Sequence, residues 1–263
     1  MTPEQRYLDL LKKCLTRSMF DESFDRIPKN TKTLWRSLRS GGYAAVNAAL
    51  APWKLALVHS ARPTGETMLG MERLDNIEYC ISQALRDKVP GDVIETGVWR
   101  GGATIFMKAV LDVYGAADRT VWVADSFQGL PKPDPAKYPA DTGDTFWTQS
   151  LDVSADDVRA NFRRYGLLDE RVKFLVGFFS DTIPAAPIDK LAVLRLDGDM
   201  YESTIVVLEH LYPKLSPGGY VIIDDYGCVP ACKQATEDYR ARHGFTEPVQ
   251  RIDWTGVFWQ KKA

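Results

Sequence analysis

Apolar residues in 3–17 recur at Tyr7, Leu8, Leu10, Leu11, Cys14 and Leu15, a helical period. The same step of three or four returns in 66–88, at Met68, Met71, Leu74, Ile77, Ile81 and Leu85, until Pro90 and Gly91 end it. Between them, 21–65 follows neither period. It holds Phe24, Trp35, Tyr43, Trp53, basic residues and the Gly41-Gly42 turn, and reads as short helices and loops. From 91 on, short apolar runs alternate with helical stretches. The runs are DVIET (92–96), TVWVAD (120–125), VKFLV (172–176), LAVLRLD (191–197) and YVIID (220–224). Helices are expected near 102–114, 154–165, 180, 201–213 and 230–242, with a long polar stretch at 126–150. Two β-rich runs, PVQRI and GVFWQ, flank Asp253–Gly256 and predict an antiparallel hairpin.

This alternation predicts a parallel α/β sheet covered on both faces and doubly wound, with ligands beyond the carboxyl ends of its strands. The pattern divides at 88/89, into an N-terminal helical arm and lid (1–88) and a sheet domain (89–263). Length changes this little, since one α/β domain can absorb about 250 residues of the 263. Lys plus Arg number 33 against 35 Asp plus Glu, a formal charge of −2, which argues against a nucleic-acid partner. No apolar run approaches the roughly 18 residues of a membrane span, and the N-terminus reads as an amphipathic helix in place of a signal peptide. The four cysteines, Cys14, Cys80, Cys228 and Cys232, are scattered, so a reducing cytoplasm is expected. Cys228 and Cys232, with three histidines in the whole chain, make a poor zinc set.

Candidate chemistry lies at the strand tips. The first turn reads Glu95-Thr96-Gly97-Val98-Trp99-Arg100-Gly101. Gly97 and Gly101 would let a ligand approach the backbone, but the G-x-G-x-x-G cradle for a pyrophosphate is absent. An acid before the turn suits a ligand carrying an ammonium group; a tight turn without a ligand is the plainer reading. Asp125, followed by Ser126, stands where a carboxylate accepts ribose hydroxyls, or else caps a helix. Gly177 and Phe179 follow the third strand at the same rim, where the ring packs on adenine or in the core. Met68 touches a cofactor or fills the core. A parallel sheet finished by an antiparallel hairpin favours a Rossmann-like S-adenosylmethionine-dependent methyltransferase sheet over a dehydrogenase.

The densest signal is acidic. Asp197 and Asp199 end the fourth run, Asp224 and Asp225 the fifth. Neighbouring strands would crowd these four carboxylates together, at a cost unless something compensates. A divalent cation compensates, and hard oxygen donors select Mg²⁺, Mn²⁺ or Ca²⁺. The alternative is helix capping, for which Asp199 before Tyr201-Glu202-Ser203 is suited.

Together these segments resemble the macrocin O-methyltransferase family, sugar O-methyltransferases of antibiotic pathways. The resemblance is carried by TMLGMERLDNIEYC (67–80), VPGDVIETGVWRGG (89–102), DRTVWVADSFQGLP (118–131), RYGLLDERVKFLVGFFSDT (164–182), LAVLRLDGDMYEST (191–204), LSPGGYVIIDDY (215–226) and PACKQA (230–235). RYLDLLKKCLTR (6–17) resembles it too, while 18–65 departs. The resemblance implies S-adenosylmethionine, Mg²⁺, a homodimer and a small-molecule glycoside as substrate. The acceptor would be a deoxysugar hydroxyl, the noviose 4-OH of an aminocoumarin or a macrolide sugar. Carried over, Asp197, Asp224 and Asp225 hold the metal, and Asp199 or Asp197 is the base. Met68, Glu95, Gly97, Asp125 and Ser126 fall where the family holds its cofactor; Thr96, Gly101, Gly177, Phe179 and Asp197 complete that set.

A sugar hydroxyl is a weak acid, and an ordinary aspartate near pKa ~4 cannot take its proton unaided. Chelation to a metal would lower the hydroxyl's pKa, leaving Asp to accept the proton. The aromatic segment 18–65, with Trp35, Tyr43 and Trp53, is the expected lid, or a dimer arm. Two competing readings are a metal-dependent catechol or phenol O-methyltransferase and a non-enzymatic cofactor-binding module. The first usually pairs its metal with a lysine three residues after the first Asp, where this chain has Met200.

Overall fold

The computed structural model describes residues 1–19, 65–144 and 151–262. Its strands are β1 (Asp92–Thr96), β2 (Val121–Asp125), β3 (Val172–Val176), β4 (Leu191–Leu196), β5 (Leu215–Ile223), β6 (Gln250–Arg251) and β7 (Val257–Gln260). They form one sheet in the order β3-β2-β1-β4-β5-β7-β6. β1 to β5 are parallel, and β7 runs antiparallel to both β5 and β6, so the expected terminal hairpin completes the sheet. The helices are α1 (Pro3–Leu15), α2 (Met71–Arg86), α3 (Gly102–Val113), α4 (Ala155–Arg164), α5 (Phe179–Thr182), α6 (Tyr201–Leu211) and α7 (Pro230–His243).

Alternation along the strands divides the core between two faces. Val93, Val121, Val123 and Ile222 join the cluster under α1 to α4. Ile94, Trp122, Ala124, Val221 and Ile223 join the other, with α6 and α7 residues such as Val207, Leu208 and Ala235. Every residue of β4 is buried, as a central strand covered on both faces must be. α1 shares the first core through Leu8, Leu11 and Leu15. Its buried Lys12 reaches Asp75 (2.6 Å) and Glu78 (2.5 Å) on α2. Helices of the 1–88 stretch therefore pack on the sheet's own core.

Two boundaries differ from the sequence reading. The helix expected from 66 begins at Met71, with Gly70 as N-cap. Residues 66–69 are committed elsewhere. Glu66 N–H donates to Leu15 O, Glu66 O accepts from Gly102 N–H, and Thr67 Oγ1 accepts from Leu69 N–H. Met68 thus sits in an irregular strap, off the helix on which its spacing had placed it. β5 begins at Leu215, five residues before the expected start, because Leu215 pairs with Leu191 of β4 ahead of a register shift and Gly218 and Gly219 bond Lys261 just beyond β7. The expectation of a lid at Trp35, Tyr43 and Trp53 lies outside the described residues.

Candidate active site

The strand order reverses between β1 and β4, and a ligand crevice belongs at such a switch point. There Gly97, at φ +90°, lies against β4 so closely that a Cβ would stand 1.7 Å from Asp197 O. Hydrogen bonds from Asp197 N–H to Thr96 O (2.8 Å) and from Asp224 N–H to Leu196 O (2.9 Å) extend the ladder by one residue. The acidic side chains are thereby fixed to the sheet edge. Three non-glycine residues in the loops after β1, β2 and β4 take left-handed backbone: Trp99 (φ +49°), Phe127 (+57°) and Asp199 (+56°). Such conformations are costly for L-residues and gather at functional sites.

Two cavities meet here. The first, about 270 Å³, is lined by Met68, Gly97, Asp125, Ser126, Phe179 and Asp197 among others. The second, about 180 Å³, is lined by Arg73, Asp224, Asp225, Cys228, Trp254 and Thr255 among others. Met68, Trp99, Leu151, Asp197 and Asp199 line both, so two of the acids form the partition.

Carboxylate oxygens of Asp197, Asp224 and Asp225 lie within 4.8 Å of one another. The sequence reading left their compensation to a cation alone; the structure shows two buried arginines sharing it. Arg195, fully buried in β4, pairs with Glu95 (2.5 Å), Asp197 (2.9 Å) and Asp224. Arg73 of α2 pairs with Asp224 (2.5 Å) and Asp253 (2.9 Å). Asp199 and Asp225 have no arginine or lysine in salt-bridge contact among the described residues. Burial, then the Asp197 and Asp224 charges, push Asp199 up to about 7. Burial and Asp224 push Asp197 to about 6, and burial with Asp199 lifts Asp225 well above the carboxylate range. The cluster keeps an excess of negative charge after both arginines are counted. Three carboxylate donors with that excess fit a hard divalent cation.

The capping alternative for Asp199 fails. Met200 is the N-cap of α6, and Asp141 from the polar loop takes the free N–H groups of Tyr201 (2.7 Å) and Glu202 (3.0 Å). Asp199 N–H donates to Asp225 Oδ2 at 3.3 Å, and its own carboxylate accepts no bond among the described residues.

Other sequence candidates are placed differently. Glu95 is 2% exposed, with one oxygen on Arg195 and the other accepting from Thr104 Oγ1. Burial, incompletely offset by Arg195, pushes it up to about 8. Asp125 holds the first turn: Oδ2 accepts from Val98 N–H (2.7 Å) and Trp99 N–H (3.3 Å), Oδ1 from Phe127 N–H (2.7 Å). Oδ1, with a single bond, retains accepting capacity, and Asp125 lines the first cavity. Thr96, Gly101 and Gly177 line neither cavity. Thr96 Oγ1 donates to Arg195 O (3.3 Å), and a Cβ at Gly101 would strike Val158 Cγ1 at 2.7 Å. A Cβ at Gly177 would meet Thr182 Cγ2 at 2.8 Å. Sequence reasoning missed both arginines. A lone charge inside LAVLRL, one strand from Glu95, was a usable signal for Arg195; their Cα atoms pair in register. Arg73 offered none, since α2 contacts the acids only in the fold.

The model of the family described as Macrocin-O-methyltransferase (TylF) matches residues 4–261. Mycinamicin III 3''-O-methyltransferase of Micromonospora griseorubida is 45% identical over 273 residues, covering 100% of this chain and 98% of that protein. The 8-demethyl-8-(2,3-dimethoxy-alpha-L-rhamnosyl)-tetracenomycin-C 4'-O-methyltransferase of Streptomyces olivaceus is 54% identical over 199 residues, 75% of this chain and 76% of that protein. The solved O-methyltransferase NovP superposes with a TM-score of 0.84 at 42% identity, over 99% of this chain and 100% of that one. With a match this long at the sequence level and the same fold, the chain belongs to the macrocin-O-methyltransferase family of O-methyltransferases.

Proposed function

We propose that this chain methylates a deoxysugar hydroxyl of a glycosylated natural product, using S-adenosylmethionine as donor and Mg²⁺ held by Asp197, Asp224 and Asp225. The observation that carries the reading is the partition: two cavities with Asp197 and Asp199 in their common wall. Asp125, Ser126, Met68 and Phe179 suit the first cavity to the donor's adenosine. The second is left for the acceptor. A relative whose name gives a rhamnosyl substrate supports a sugar there, and noviose and macrolide sugars are acceptors of the same chemical class.

When bound, the donor supplies an electrophilic methyl group and Mg²⁺ supplies the positive field that acidifies an adjacent hydroxyl. The protein supplies geometry and a proton acceptor. Arg195 occupies an oxygen of Asp197, whereas the Asp199 carboxylate accepts no bond among the described residues. Asp199 is therefore the better base, with its backbone fixed by Asp225. The strand tips would hold acceptor and donor in place, and positioning of that kind supplies much of a methyl-transfer rate. Met200, in the position of a catechol-type lysine, is fully buried and apolar. A homodimer completes the proposal.

The test is methyl transfer to aryl rhamnosides and macrolide glycosides beside catechol, with Mg²⁺ or excess EDTA. Glycoside turnover that requires Mg²⁺ is expected. For Asp199→Asn, kcat should fall by roughly 10²–10⁴ with S-adenosylhomocysteine binding intact. Turnover of catechol alone, or wild-type rates in EDTA, would overturn the reading.

A further inference from the structure

We infer that the turn Asp253–Gly256 of the C-terminal hairpin is the specificity wall of the acceptor site, with Trp254 packing on the sugar ring. The inference rests on the reading of the second cavity as the acceptor's. Trp254 and Thr255 line that cavity together with Asp199 and Asp225.

Side-chain links beyond the hairpin's own ladder fasten the turn to the acids. Asp253 Oδ1 accepts from Thr255 N–H (2.9 Å) and Gly256 N–H (2.7 Å), which shapes the turn itself. Its other oxygen meets Arg73, and Arg73 meets Asp224. Thr255 Oγ1 donates to Asp224 O at 2.9 Å, and Gly227 N–H to Thr255 O at 2.8 Å. Gly227 lies so close beneath that a Cβ would stand 2.5 Å from Trp254 O. These links set the position of Trp254 relative to the metal-ligating Asp224. One buried guanidinium, Arg73, thus positions a reactive-side carboxylate and the opposite wall at once.

A pyranose presents C–H faces and a rim of hydroxyls. An indole face covers the former without competing for the latter, and tryptophan has the largest aromatic surface available. An indole held there favours acceptors that present a pyranose face to it, so Trp254 acts on acceptor binding and not on proton transfer.

The experiment compares wild type, Trp254→Ala and Trp254→Phe on a rhamnosyl glycoside with saturating donor and Mg²⁺. Trp254→Ala should raise the acceptor KM about tenfold, with kcat within about threefold and S-adenosylhomocysteine affinity unchanged, the pattern of lost uniform binding. Trp254→Phe should recover most of the KM. If urea denaturation shows Trp254→Ala unstable, Trp254→Leu, which keeps apolar bulk without a π face, carries the same comparison. An unchanged acceptor KM, beside an inactive Asp199→Asn, overturns this inference and leaves the proposed function standing. Lost S-adenosylhomocysteine binding overturns it as well, by placing Trp254 on the donor side. A wild type that methylates no glycoside overturns both.

Discussion

At the scale of single residues, Arg195 decides how the site is held. A guanidinium in the centre of a sheet is sustained by the carboxylates around it, here Glu95, Asp197 and Asp224. Removing the cation strands those acids in a site with little water. Arg195→Met should therefore destabilise the protein by about 3–5 kcal/mol in urea denaturation. Adding Glu95→Gln should return part of that loss, because the two side chains are coupled. A single mutant as stable as wild type, or strictly additive losses, would show that the pair holds nothing together. Glu95 itself was read in the sequence as a partner for a ligand's ammonium, and its place on Arg195 explains why an acid follows Val93 and Ile94 inside β1.

At the scale of elements, α1 is docked by an ion pair inside an apolar seam. Lys12 lies between Asp75 and Glu78, with its ammonium 5.3 Å from the Phe106 ring centre. Burial opposes its charge, and the two carboxylates outweigh burial, so its pKa is raised from 10.5. A base whose folded pKa is raised stabilises the fold fully below its unfolded value, and this is lost as pH rises through the folded one. Wild type should exceed Lys12→Met in stability by roughly 1–3 kcal/mol at pH 7, a charged hydrogen-bond contribution. That lead should narrow in melts taken above pH 10.5, and a lead constant across pH would remove the ion pair from the account. The elements themselves were legible, because buried parallel strands and amphipathic helices have different periods. What escaped was decided by contacts distant in sequence. Glu66 is held by Leu15 and Gly102, which stops α2 from starting early. Asp141 caps α6 from 60 residues away, which frees Asp199 for the cavity. The acidic cluster was readable for a related reason: its members end consecutive strands, and adjacency of β4 and β5 was enough to bring them together.

At the scale of the whole molecule, charge and fold oppose each other at one edge of the sheet. The two arginines engage Asp224 and Asp197 directly, while Asp225 remains beside Asp199 and Asp197 in a buried setting. That repulsion costs stability in the ion-free protein, and the proposed divalent cation would return it. Mg²⁺ should accordingly raise the melting temperature, by a stabilisation of about 2.7 kcal/mol at one hundred times its Kd, and EDTA should reverse the shift. Asp225→Asn separates the two contributions. It removes an acid whose ionisation its neighbours penalise, so the ion-free variant should melt above ion-free wild type, and it removes a proposed ligand, so Mg²⁺ should no longer shift it. An equal Mg²⁺ shift in both proteins would place the ion elsewhere. A lower ion-free melting temperature would mean that Asp225 stabilises the sheet edge by bonding to Asp199 N–H more than its charge strains it.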